Sequence, residues 1–93
     1  MPIRSFKCVK TRRLFHGNPI RHWTSIQSAA MRKLAMLNRA ERLDDLRIPP
    51  GNRLEALKGD RAGQHSVRVN NRFRVCFIWT DEGPSNVEIV DYH

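Results

Sequence analysis

Cysteine is nearly missing from this chain of 93 residues: Cys8 and Cys76 are too few for a disulfide framework, and neither sits in a CxxC pair. Both read as small buried hydrophobes in a reducing compartment. No apolar run approaches the ~20 residues of a membrane span. The N-terminus also lacks the apolar stretch of about 7–15 residues that marks a secretory signal. A soluble, cytoplasmic protein with no membrane partner is expected. His16, His22, His65 and His93 show no metal-ligand spacing, so zinc is not expected. Gly59 and Gly63 are not followed by GK[ST], which excludes a Walker-type phosphate loop. Zinc-finger, helix-turn-helix and RNP patterns are absent too. Neither a metal nor a cofactor is implied. Repeats, low-complexity segments and linkers are also lacking, so residues 1–93 form one domain. A domain of this size buries roughly 60–65% of its unfolded surface, enough for one modest core.

Acidic residues are missing from one region altogether. Residues 1–40 contain nine Lys and Arg (Arg4, Lys7, Lys10, Arg12, Arg13, Arg21, Arg32, Lys33 and Arg39) and no Asp or Glu. The remainder carries eight basic and nine acidic residues, so the net charge of +8 comes from the N-terminal part. A polyanion is the expected partner, with nucleic acid or a ribonucleoprotein foremost.

Periodicity gives the elements. Ile3-Arg4-Ser5-Phe6-Lys7-Cys8 alternates like a half-buried strand, and a helical turn follows near Lys10–Phe15. Thr24 and Gln27 fit a capping box. Ile26, Ala30, Leu34 and Leu37 then recur at helical spacing, predicting a helix from about Ser25 to Leu46 that Pro49-Pro50-Gly51 stops. Ser66-Val67-Arg68-Val69 alternates. Asn70-Asn71 suits a tight hairpin through tolerance of positive φ. Phe73, Val75, Phe77 and Trp79 share one face of the next strand, and Arg74, Cys76 and Ile78 the other. The last strand is Val87-Glu88-Ile89-Val90, which would hold Asp91, Tyr92 and His93 at its end. The expected class is α+β: an N-terminal strand and two helices packed on a mostly antiparallel sheet of three to four strands.

Several residues are chemically conspicuous. Arg74 is a cation on a strand that otherwise looks buried, so it needs an anion or an open edge. His93 carries an imidazole, the side chain whose ordinary pKa lies nearest neutrality. Asp91, two residues before it, favours the protonated imidazole, which suits a general acid. Glu55 is a possible base just before the Lys58-Gly59-Asp60-Arg61 turn. Trp23, between His22 and other polar residues in the basic segment, looks open for stacking on bases. Phe73 and Trp79 look like core.

Four stretches together carry a resemblance: Pro49 through Gly63, including Leu57-Lys58-Gly59-Asp60-Arg61; Ser66-Val67-Arg68-Val69-Asn70; Phe73-Arg74-Val75-Cys76-Phe77; and the final Asp91-Tyr92-His93. They resemble the RelE/ParE superfamily of bacterial toxins, and within it the HigB branch with its GraT-like members. The opening Ile3-Arg4-Ser5-Phe6 and the Arg32–Leu37 helix segment agree as well. The resemblance implies a RelE-like two-layer fold and an endoribonuclease that cuts mRNA in the ribosomal A site without a metal. A HigA-like helix-turn-helix antitoxin would neutralise it, and operator DNA would be reached only through that complex. Attack of the ribose 2′-OH on the adjacent phosphate would leave a 2′,3′-cyclic phosphate and a 5′-OH.

Position by position, Glu55 falls where the YoeB relatives place a glutamate base, although several HigB proteins have histidine there. Arg74 matches the strand arginine that would stabilise charge on the phosphate. Lys58 would neutralise the same phosphate or its neighbour. His93 matches the acid for the 5′-oxygen, Tyr92 would orient the phosphate or base, and Asp91 would orient His93 or the ribose. Arg4, Lys7, Lys10, Arg12, Arg13, Arg21, Arg32, Lys33, Arg61 and Arg68 are the candidate contacts to RNA and the ribosome. Relatives often carry aromatics where Gln64-His65 stand here. Placement of His65 on the surface of an edge strand is expected, with a base contact as the alternative. Two other functions fit the composition: a non-catalytic binder of rRNA or the assembling ribosome, and a ParE-like gyrase inhibitor, for which an acid–base set has no use.

Overall fold

Five apolar side chains of the basic N-terminal half — Leu14, Ile26, Ala30, Leu34 and Leu37 — are buried to 3% exposure or less and form the helical side of the core. The computed structural model describes residues 1–92. Helix α1 (Val9–Phe15) leads through a 3-10 turn at Arg21–Trp23 into α2 (Gln27–Arg39). Two more 3-10 turns, Leu43–Arg47 and Pro50–Asn52, precede the sheet. Its strands β1 (Glu55–Ala56), β2 (His65–Arg68), β3 (Phe73–Thr80) and β4 (Gly83–Asp91) pair in chain order, all antiparallel. Val67, Val75, Phe77, Val87 and Ile89 complete the core from the sheet side, so the fold is the expected two-layer α+β type. No helix of the described residues is long and apolar enough to cross a membrane.

Four local expectations need correction. First, the N-terminal strand shrinks to a single parallel bridge, Phe6 to Val87, with Lys7 N–H donating to Val87 O and Val87 N–H to Ser5 O at 3.0 Å each. Asn86, in the left-handed region at φ 51°, bends the facing edge of β4 and interrupts a longer ladder. Second, the long helix stops at Arg39. Ala40 is extended, and Asp45 accepts the backbone N–H groups of Glu41 and Arg42 at 3.0 and 3.1 Å, which starts a separate turn instead of continuing α2. Third, the capping box does not form. Thr24 is already helical and gives its hydroxyl to Arg21 O, while Ile26 occupies the cap. Fourth, the Asn70-Asn71 hairpin uses no positive φ; Asn70 Oδ1 instead accepts from both Arg72 N–H and Phe73 N–H at 2.8 Å. Trp23 is also not open: it is only 8% exposed and belongs to the core, so it offers no stacking surface.

One buried polar side chain ties α2 to the turns that precede the sheet. Asn52 is fully buried, accepts from Lys33 Nζ at 2.6 Å and donates to Leu46 O at 3.1 Å and Ile48 O at 3.4 Å. An alanine there strands buried carbonyls and an ammonium. Asn52→Ala is expected to lower unfolding free energy by about 1–3 kcal/mol in a urea titration. Gly83 is constrained differently. At φ 123° a Cβ would stand 2.6 Å from Pro2 O, so Gly83→Ala should destabilise through the backbone, read as a lower melting temperature.

Candidate active site

Antiparallel pairing decides which side chains share a face. Glu55 pairs with Ser66, Ser66 with Cys76, and Cys76 with Glu88, giving a row across the sheet on the face turned away from the helices. Arg74, two residues before Cys76, points the same way. Its Nε donates to Ser66 Oγ at 2.7 Å and its Nη2 to Arg53 O at 2.7 Å, with a longer contact of 3.5 Å to Ser66 O. All three acceptors are neutral, and Ser66 is fully buried, so the guanidinium is fixed in place, with no carboxylate paired to it among the described residues. Arg53 supplies its carbonyl from a left-handed conformation (φ 46°, ψ 56°), which costs a non-glycine residue on the order of 1 kcal/mol.

Beside this face lies an open cavity of about 290 Å³, lined by Glu55, Ala56, Leu57, Lys58 and Tyr92. Leu57 is the buried anchor; Glu55, Lys58 and Tyr92 are exposed. Tyr92 is held by its backbone N–H, which donates to Arg72 O at 2.6 Å. Lys58 precedes the Gly59–Arg61 turn, which Gly59 closes at φ 63°. A carboxylate, an ammonium and a phenol thus line one cavity, and the strand partner of Glu55, Ser66, is the residue that holds the Arg74 guanidinium.

Glu88 is a member of this face that the sequence did not single out. Its side chain is only 16% exposed and lies 3.3 Å from Arg61 Nη1 and 3.7 Å from Lys7 Nζ. Arg61 also donates to Gln64 Oε1 at 3.1 Å, so Glu88 and Gln64 fix the angle of this cation. The alternation of Glu88 and Val90 opposite Cys76 and Arg74 was the available signal. Cys76 lies beneath, where burial pushes its thiol pKa up, away from thiolate chemistry.

Asp91 is placed elsewhere. It pairs with Phe73, so it projects to the helix side of the sheet, opposite to Arg74. There it holds Arg72 in a bidentate pair, with Nε at 3.0 Å and Nη2 at 2.8 Å, and this carboxylate raises the Arg72 pKa. Asp91 and Arg72 line a cavity of about 460 Å³ with His22, Trp23, Ser25, Phe73 and Ile89. His93 lies outside the described residues. His65 sits on the inner strand β2 rather than on an edge, half-buried, its ring stacked on Phe77 with centroids 6.3 Å apart.

Among the remaining basic candidates, Arg4, Lys7, Lys10, Arg12, Arg13, Arg21 and Arg32 are exposed, whereas Lys33, Arg61 and Arg68 are half-buried. Arg68 donates to Asn71 Oδ1. Lys33 is tied to Asn52, and its pKa is lowered by burial first and then by the cations Arg32 and Arg68. Positive charge there is crowded rather than neutralised. Among the described residues no three His, Cys, Asp or Glu side chains gather in a metal-ligand cluster.

A family profile described as RelE-like toxin of type II toxin-antitoxin system HigB matches residues 5–93. Toxin HigB-1 of Vibrio cholerae serotype O1 is 50% identical over 58 residues, 62% of this chain and 61% of the relative. An uncharacterized protein of Haemophilus influenzae is 31% identical over 64 residues, 69% of this chain and 63% of that protein. The matched stretches therefore span somewhat under two thirds of these relatives. With the profile running through α1, α2 and all four strands, the chain belongs to the HigB-like toxins, the RelE-like toxins of a type II toxin–antitoxin system.

Proposed function

We propose that this chain is the toxin of such a pair: a cytoplasmic, ribosome-dependent endoribonuclease that cuts mRNA in the A site and is neutralised by a HigA-like antitoxin. The observation that carries the reading is the state of Arg74. A half-buried guanidinium held by Ser66 Oγ and two backbone carbonyls is already oriented, and among the described residues no ion pair has to break before it receives a phosphate. Glu55, whose strand partner Ser66 also holds Arg74, has no side-chain hydrogen bond or ion pair among the described residues and is exposed, as a base for an RNA 2′-OH must be.

The chemistry then balances without a metal. The 2′-OH proton passes to Glu55, the 2′-oxygen bonds to phosphorus, and the bond from phosphorus to the 5′-oxygen breaks. Arg74 and Lys58 stabilise the charge on the non-bridging oxygens, and Tyr92 orients the phosphate. His93 is assigned the proton for the 5′-oxygen, by its match to the family's terminal histidine. Asp91 is assigned an indirect role, since its carboxylate is engaged with Arg72 across the sheet.

Cleavage of mRNA on programmed ribosomes tests this directly. Glu55→Gln should cut about 10²–10⁴-fold more slowly. Arg74→Lys, which keeps the charge but loses the fork, should lose about 10²–10³-fold. Both should still bind antitoxin, and Glu55→Gln should melt like the parent. Full cleavage by either variant ends the catalytic reading and favours a non-catalytic ribosome binder. Cleavage should also persist in EDTA, with 2′,3′-cyclic phosphate ends on the products; an absolute need for added Mg²⁺ would overturn 2′-OH attack as written.

A further inference from the structure

The cavity that contains Asp91 is not isolated. His22 lines it and also lines a neighbouring cavity of about 310 Å³, whose other walls are Lys10, Arg13, Pro19, Ile20 and Arg21. Buried Leu14 and Trp23 anchor α1 and the following turn on the core, and Ile20 is buried in the floor. Lys10, Arg13, Arg21 and His22 are left exposed around the opening. No carboxylate lines this second cavity, and none occurs in residues 1–40 to supply one.

We propose that the Lys10–Arg13–Arg21–His22 cavity binds a backbone phosphate of the RNA strand that is cut beside Arg74, several nucleotides from the scissile bond. This rests on the ribonuclease reading and extends it to the path of the substrate. The path follows from one shared wall and one turn at the end of β4. His22 joins the Asp91 cavity to the basic cavity, and Tyr92, which lines the Glu55–Lys58 cavity, directly follows Asp91, so the RNA strand passes round the end of β4 from one face of the sheet to the other. Aromatic surface at Tyr92 and Phe73 leads to a cluster of two guanidiniums and an ammonium. Single-stranded nucleic acid is held by such alternation of stacking surface and phosphate-binding cations. Asp91, the carboxylate that lines the middle cavity among the described residues, is already engaged bidentately by Arg72 and does not repel a passing strand as a free anion would.

The test uses a fluorescein-labelled RNA decamer carrying 2′-O-methyl groups, which lacks the nucleophile and stays uncut. Its binding to the full chain is followed by anisotropy across a salt series. The double variant Arg13→Gln with Arg21→Gln should bind several-fold more weakly, and its slope of log K against log salt should be shallower by about 0.7 per phosphate lost. Arg39→Gln with Arg47→Gln removes the same charge outside the path and should leave the slope near the parent value. Equal losses in the two pairs would mean diffuse attraction and overturn the site. Unchanged RNA binding with loss of antitoxin binding in the first pair would make the cavity a protein-docking surface and also overturn it. Where the parent binds and cuts mRNA but the first pair behaves as the parent, only the cavity fails. Where the parent neither binds the decamer nor cuts mRNA, the ribonuclease reading fails with it.

Discussion

Everything placed on the two faces of this protein depends on the register of β3 between β2 and β4. The side-chain period of a strand is two, so a slip of one residue would send Val75 and Phe77 to solvent and Arg74 into the helices. Several features pin that register. Asn70 fixes the β2–β3 turn through two backbone N–H groups. At the other end Thr80 Oγ1 donates to Gly83 O at 2.6 Å and fixes the turn into β4. An irregularity between Cys76 and Ile78 absorbs the one change of phase along β3 and β4. With the register set, the hydrophobic side drives folding and the other side is available for chemistry.

The carboxylates are distributed in a way that matters more for location than for stability. Asp44 pairs with Arg47, Glu88 with Arg61 and Lys7, and Asp91 with Arg72. The exposed pairs among them, Asp44 with Arg47 and Asp91 with Arg72, contribute little to folding free energy. What they decide is where positive potential is left over. Arg74 and Lys58 have no carboxylate partner among the described residues, and the Lys10–Arg13–Arg21 cluster has none within its own segment. A polyanion meets these groups without displacing an internal anion, which is the electrostatic condition for a strand to settle along one path rather than anywhere on a basic surface.

Much of this was legible in the residues, and the misses have physical causes. The alternation in Phe73–Trp79 gave β3 and both its faces, because period two survives any tertiary context. Parity in Val87, Ile89 and Asp91 likewise placed Asp91 with the buried set and Tyr92 with Glu88 and Val90. Chemical grouping of Asp91, Tyr92 and His93 as one cluster ignored that parity, and the structure separates Asp91 from Tyr92 accordingly. Trp23 looked open because its neighbours are polar, yet burial of so large a ring outweighs its surroundings in sequence. The end of α2 was illegible for another reason. Nothing in its apolar pattern stops at Arg39; Asp45 does so from six residues away, by offering the backbone a competing set of hydrogen bonds.

Placement of Arg74 finally reaches back to Asn52, a buried amide that was not among the candidate site residues. Lys33 on α2 donates to Asn52, and Asn52 ties down the turn whose next residue, Arg53, adopts the left-handed conformation. The carbonyl of Arg53 is one of the two close contacts of the Arg74 guanidinium. A helix on one side of the sheet is thereby connected, through a buried amide and a strained peptide, to the cation on the other side. Strain of this kind persists only where its surroundings over-determine it. Here they do, because releasing Arg53 would free an acceptor that Arg74 needs while leaving Asn52 buried without reason. The rigidity of the Arg74 guanidinium is thus a property of the whole two-layer fold, and in the proposed ribonuclease it would set the direction from which an RNA strand approaches.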